Sequence, residues 1–83
     1  MVYILLGTGF EEAEALVACD ILRRGGADVM LVGVTGNTVK GGHGISVMAN
    51  CGIGDIDWKN VQMLVVPGGL GGVDEVQVVG GVL

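Results

Sequence analysis

Apolar positions gather in three short, nearly unbroken runs separated by glycine-rich turns. The first, Val2–Leu6 (VYILL), is apolar on both faces and carries β-branched and aromatic side chains. A strand without a polar side reads as an interior strand of a parallel sheet. Asp28–Val34 (DVMLVGV) and Gln62–Val66 (QMLVV) read the same way. Between the first two runs, Glu11 to about Arg24 has helical spacing, with acids in its first turn and Arg23–Arg24 in its last. That order complements the helix dipole, and Gly25–Gly26 supplies the C-terminal stop. Strand, helix and strand make a βαβ unit, which is normally parallel and right-handed.

The glycine-rich segment Thr35–Gly44 predicts turns, with a short hairpin pairing Thr38–Lys40 and Ile45–Met48. Gly54–Asn60 is a polar connector with room for a helical turn. After Gln62–Val66 the chain enters Pro67-Gly68-Gly69-Leu70-Gly71-Gly72. Val73–Val79 can then start a helix, which Gly80–Gly81 interrupts. The expected fold is α/β: a flavodoxin-like, doubly wound parallel sheet of three or four strands, an α/β/α sandwich begun but incomplete in this chain. Residues 1–83 are read as the N-terminal part of one domain.

Around the helix, at about 100° per residue, Val17, Ala18, Ile21 and Leu22 make an apolar arc, and Glu14 falls in its middle. Glu12 falls at the edge of the arc toward the polar side, and Glu11 at the helix mouth. Glu11 and Glu12 are accounted for as N-terminal acids. Glu14 is not, because a carboxylate on a core face is costly unless it is protonated or paired. Ligands in open α/β sheets sit beyond the carboxyl ends of the strands, where Glu14 also lies. It is therefore the leading candidate functional side chain. The turn at Gly68 and Gly69 follows a buried strand and could bring backbone amides to a substrate, as an oxyanion hole requires.

Composition narrows the function. The chain has 83 residues, a net charge of −5 and 51% hydrophobic residues, with 17 glycines. So apolar a short chain is expected to hide surface in a larger fold or in a partner. Four Lys and Arg argue against nucleic acid as a ligand. No run approaches the roughly 20 apolar residues of a membrane span, and the N-terminus lacks the charged start of a signal peptide. Cys19 and Cys51 fit neither a disulfide framework nor a metal spacing, so a reducing, cytoplasmic setting is expected, with no metal and no cofactor. Cys19 reads as a buried small hydrophobe, Cys51 as an exposed loop thiol, His43 as an exposed loop residue and Trp58 as a packing anchor. Gly7-Thr8-Gly9 opens like a dinucleotide fingerprint, but Glu12 stands where its third glycine belongs.

Gly9-Phe10-Glu11-Glu12-Ala13-Glu14-Ala15, Asp20-Ile21-Leu22-Arg23-Arg24-Gly25-Gly26, His43-Gly44-Ile45, Asp55-Ile56-Asp57 and Val65-Val66-Pro67-Gly68-Gly69 together resemble the DJ-1/ThiJ/PfpI superfamily, through about Val73. The nearest subgroup looks like the bacterial DJ-1-like, ThiJ-type proteins. The resemblance implies a homodimer and a cysteine-dependent enzyme acting on small reactive carbonyls such as methylglyoxal. Glyoxalase III or deglycase activity and stress protection go with it, and amidase or peptidase activity in other branches. It implies that Glu14 is the supporting acid, protonated and bonded to the nucleophilic cysteine, and that Gly69, in the turn with Gly68, gives the oxyanion amide. The family's nucleophilic cysteine and its histidine lie beyond the PGG turn. Cys19, Cys51 and His43 are not at those positions, and the stretch from Gln77 to Leu83 departs from the family pattern. The alternative expectation is a non-catalytic truncated paralogue that works by pairing with another chain.

Overall fold

The computed structural model describes residues 1–69. The expected helix start at Val73–Val79 and its break at Gly80–Gly81 lie outside them. Strand β1 is Val2–Leu6, helix α1 Glu12–Arg24, β2 Val29–Gly33, β3 Thr38–Lys40, β4 Ser46–Met48, β5 Cys51–Gly52 and β6 Met63–Val65. Single 3₁₀ turns at Ile53–Asp55 and Trp58–Asn60 form the connector. The main sheet has the order β5-β2-β1-β6 and is parallel throughout. β3 and β4 form a separate antiparallel hairpin.

The two-faced burial of β1 explains its unbroken apolar run. Val2, Ile4 and Leu6 point into a cluster with Phe10, Ala15, Cys19, Val29, Leu31 and Val39 on the α1 side. Tyr3 and Leu5 join Val32 and Ile56 on the opposite side. There the 3₁₀ connector packs where a helix would sit in a full sandwich, and the Tyr3 hydroxyl accepts from the Asp57 amide at 3.0 Å. Trp58, expected to anchor this packing, is instead exposed; Ile56 is the connector's buried side chain. Cys51 also differs from expectation. It lies half-buried in β5 rather than in an exposed loop, and burial, with the charge of Asp55, pushes its thiol above the ordinary value. Cys19 is buried as expected.

Helix α1 starts and stops for local reasons. The Glu11 side chain caps it by accepting from the Ala13 amide at 3.1 Å. At the other end Ala27 N donates to Leu22 O and Gly26 N to Arg23 O, with Gly26 at φ +89°. This is the Schellman arrangement that a left-handed glycine allows. Arg23 then reaches the Val29 carbonyl and Asn50 Oδ1, which also accepts from the Leu31 amide.

From β1 the chain winds outward through β2 to β5, then returns to the other side of β1 as β6. The strand order therefore switches between β1 and β6, the place where open α/β sheets bind ligands at the carboxyl ends of their strands. The segments leaving those ends are Gly7–Glu11 and Val66–Gly69.

At the end of β2, Gly33 has no room for a side chain. An added Cβ would overlap the Gly36 carbonyl oxygen and come within 3.2 Å of the Ala49 Cβ. Gly33→Ala is expected to destabilise the fold by about 1–3 kcal/mol, read as a lower urea midpoint with an unchanged slope.

Candidate functional site

The three glutamates at the start of α1 face two segments: Glu11 and Glu14 the turn after β6, and Glu12 the hairpin loop. Glu11 faces the turn after β6: its backbone amide donates to the Gly68 carbonyl at 2.7 Å. Glu14 faces the same turn, and its Oε2 accepts from the Gly68 amide at 2.5 Å. Two bonds of opposite sense thus tie Gly68 to the helix start. Gly69 has φ +114°, and a Cβ there would overlap the Gly9 carbonyl and lie 2.9 Å from the Phe10 Cα. Only glycine fits that approach. A Cβ at Gly68 would stand 2.8 Å from Glu14 Oε2.

Glu12 turns the other way. It is the buried charged side chain among the described residues, 3% exposed. Its Oε2 accepts from the amides of His43 at 2.8 Å and Ile45 at 3.2 Å, and its Oε1 meets His43 Nδ1 at 2.9 Å. Burial alone would raise its pKa. The His43 ring, with the amides of Glu12 itself, Ile45 and His43, outweighs burial and holds it at about 2. The bond to Glu12, followed by the charges of Glu11 and Glu12, raises His43 above its ordinary value against a smaller effect of burial. His43 Nδ1 also lies 3.5 Å from Glu11 Oε2.

These positions correct the helix-face expectation. The buried face of α1 carries Glu12, Ala15 and Cys19, whereas Glu14 is exposed, with Val17 at 54% and Ile21 at 61% exposure. Small Ala15 and Cys19 let the helix approach the sheet, and the bulkier stripe faces outward. Glu14 sits at the strand ends, as its location predicted, but not in a core. His43 is an exposed loop residue as expected, with a ring bonded to Glu12 that nothing local in the sequence announces.

Ligand atoms of Glu11, Glu12 and His43 lie within 4.8 Å of one another. They have the chemistry to hold a cation, but both Glu12 oxygens and His43 Nδ1 are already engaged with each other and with the loop amides. What the geometry offers is a carboxyl group and a glycine turn fixed against each other at the switch point. Cys51 in β5 is separated from β6 by β2 and β1, and Cys19 is buried under the helix. Neither is placed to meet Glu14. Among the described residues no helix is long and apolar enough to cross a membrane.

A profile of the DJ-1/PfpI family matches residues 1–80. Protein dj-1beta of Drosophila melanogaster is 33% identical over 70 residues, which are 83% of this chain and 37% of the fly protein. The glutathione-independent glyoxalase DJR-1.2 of Caenorhabditis elegans is 33% identical over 61 residues, 74% of this chain and 33% of that protein. The solved structure of oxidized Toxoplasma gondii DJ-1 superposes with a TM-score of 0.83 at 29% identity, covering 89% of this chain and 41% of that one. The chain therefore spans well under half the length of these relatives. The superposition carries the flavodoxin-like fold expected from the sequence.

The Glu12–His43 pair has a defined pH signature. Because His43 is raised in the folded state, its contribution to stability is complete below 6.5 and is lost as pH rises through its folded value. Because Glu12 is lowered, its contribution is present above 4.5 and is lost as pH falls toward about 2. The pair is therefore strongest between those limits. An NMR titration of the His43 ring is expected to give a midpoint above 6.5, returning toward 6.5 in Glu12→Gln.

Proposed function

The chain belongs to the DJ-1/PfpI family, and on that footing we propose that it forms the N-terminal part of a cysteine-dependent enzyme for small reactive carbonyls such as methylglyoxal. The observation that carries this reading is the 2.5 Å bond from the Gly68 amide to Glu14 Oε2. It fixes a carboxyl group beside a glycine turn at the mouth of the sheet. The name of the worm relative, a glutathione-independent glyoxalase, points to the same chemistry. Cytoplasmic placement fits two free cysteines.

Glu14 is the supporting acid in this reading. Since Oε2 accepts from Gly68, Oε1 is the oxygen left to face the cysteine. The cysteine comes from outside these 83 residues, because Cys19 and Cys51 are not positioned for it. Its thiolate sulfur adds to the aldehyde carbon, forming a C–S bond while the carbonyl π pair moves to oxygen. Gly68 is engaged by Glu14, so donation to that oxyanion falls to the Gly69 amide. Net conversion of methylglyoxal and water to lactic acid oxidises the aldehyde carbon as far as it reduces the ketone carbon. It needs no external oxidant and no cofactor.

A second chain is part of the proposal. Val17 and Ile21 on α1, with Ile45 and Met48 on the hairpin, leave large apolar side chains exposed. Burying that surface in a homodimer recovers the hydrophobic contribution it forfeits in water. A non-catalytic paralogue that works by pairing would use the same surface, and turnover separates the two readings.

The full chain is expected to convert methylglyoxal to lactate without glutathione. Glu14→Gln should lower kcat by about 100-fold or more; unchanged turnover overturns the role of Glu14. In sedimentation the protein should run as a dimer and Ile21→Asp as a monomer; a folded wild-type monomer counts against pairing.

A further inference from the structure

Gly9, Phe10 and Glu11 are gripped from two sides. On one side is the hairpin loop: Gly9 N donates to the Lys40 carbonyl at 2.8 Å, and Gly42 N donates to the Phe10 carbonyl at 2.9 Å. On the other side is the turn after β6, where Gly68 O accepts from Glu11 N and Gly69 packs against the Gly9 carbonyl and Phe10 Cα. The hairpin loop and the Gly68–Gly69 turn thus both press on the same three residues, and both approach the Gly9 carbonyl.

The hairpin loop has one buried polar anchor, Glu12. Apart from the amide of Glu12 itself, the donors to its carboxylate come from His43 and Ile45. Gly41 lies so close to Glu12 that a Cβ there would overlap the carboxyl carbon. The loop cannot shift along the helix without leaving a shielded carboxylate short of donors, which is costly.

We propose that Glu12 is a positioning residue for the site at Glu14: by anchoring the loop over residues 41–45, it clamps Gly9–Glu11 and so sets the Gly68–Gly69 turn against the helix start. His43 closes the clamp from the solvent side, facing Glu11 and Glu12 on α1. The route is a contiguous packed chain of backbone contacts, the physical requirement for coupling between two places. The inference rests on the proposed function for its catalytic consequence, but the geometric coupling can be read without it.

The experiment is amide hydrogen exchange of the full chain, followed by NMR at Gly68, whose N–H is held by Glu14. Two variants act at different points of the route. Glu12→Gln removes the anchor's charge and acceptor strength. Gly42→Ala leaves Glu12 untouched but places a Cβ 3.0 Å from the Gly9 carbonyl. Each folded variant should accelerate exchange at Gly68 by about tenfold, with β1 exchange unchanged. Unchanged exchange at Gly68 in whichever variant folds, with residues 41–45 freed, overturns the inference. In the same proteins kcat for methylglyoxal should fall with KM unchanged. Absence of turnover in the wild type would end the carbonyl reading alone, while exchange at Gly68 would still decide the coupling.

Discussion

A carboxylate shielded from water must recover elsewhere the hydrogen bonds that water gave it, and Glu12 recovers most of them from one short loop. The placement of the hairpin depends on this. A two-stranded hairpin is marginal by itself, and β3–β4 forms no part of the main sheet. It is attached through Val39, buried in the core on the α1 side, through the backbone bonds of Lys40 and Gly42 to Gly9 and Phe10, and through Glu12. Val39 fixes how deep the hairpin sits, and a hydrophobic contact alone would leave its angle loose. The three directional bonds to Glu12, with those of Lys40 and Gly42 to the backbone, remove that freedom.

The same corner depends on what glycine lacks. Gly9 receives both the hairpin loop and Gly69, at distances that leave no space for a Cβ on Gly69 and little on Gly42. Only bare backbone allows three segments to meet so closely. Close approach is also what brings an amide near a reacting atom without an intervening side chain. The high glycine content, which as composition suggested only turns, is spent here on a junction at the strand ends.

The sheet was legible because its strands are buried on both faces, so their apolar runs are unbroken. α1 was legible at both ends, where Glu11 caps and Gly25–Gly26 stops. The hairpin was legible from glycine punctuation around Thr38–Lys40 and Ile45–Met48. The face that α1 turns inward was not. Hydropathy ranked Val17 and Ile21 above Ala15 and Cys19, yet size decided the packing, and the small pair went against the sheet. That rotation exposed Glu14 and buried Glu12. The partner of Glu12 lies 31 residues away, beyond any helical or strand period, so the pair left no local signature. Glu14 was reached by its location at the strand ends, an argument that survives the change of face. Trp58 and Cys51 went astray for a related reason: in a 3₁₀ connector and a two-residue strand, burial is set by tertiary contacts and not by a period.

Three carboxylates in one helical turn repel each other, and the turn has to offset that. The positive end of the helix dipole does so in part. The Glu11 side chain is met by an amide, Glu12 by two amides and His43, and Glu14 by Gly68. Each acid is met by fixed dipoles or by a histidine, and no lysine or arginine bonds to any of them among the described residues.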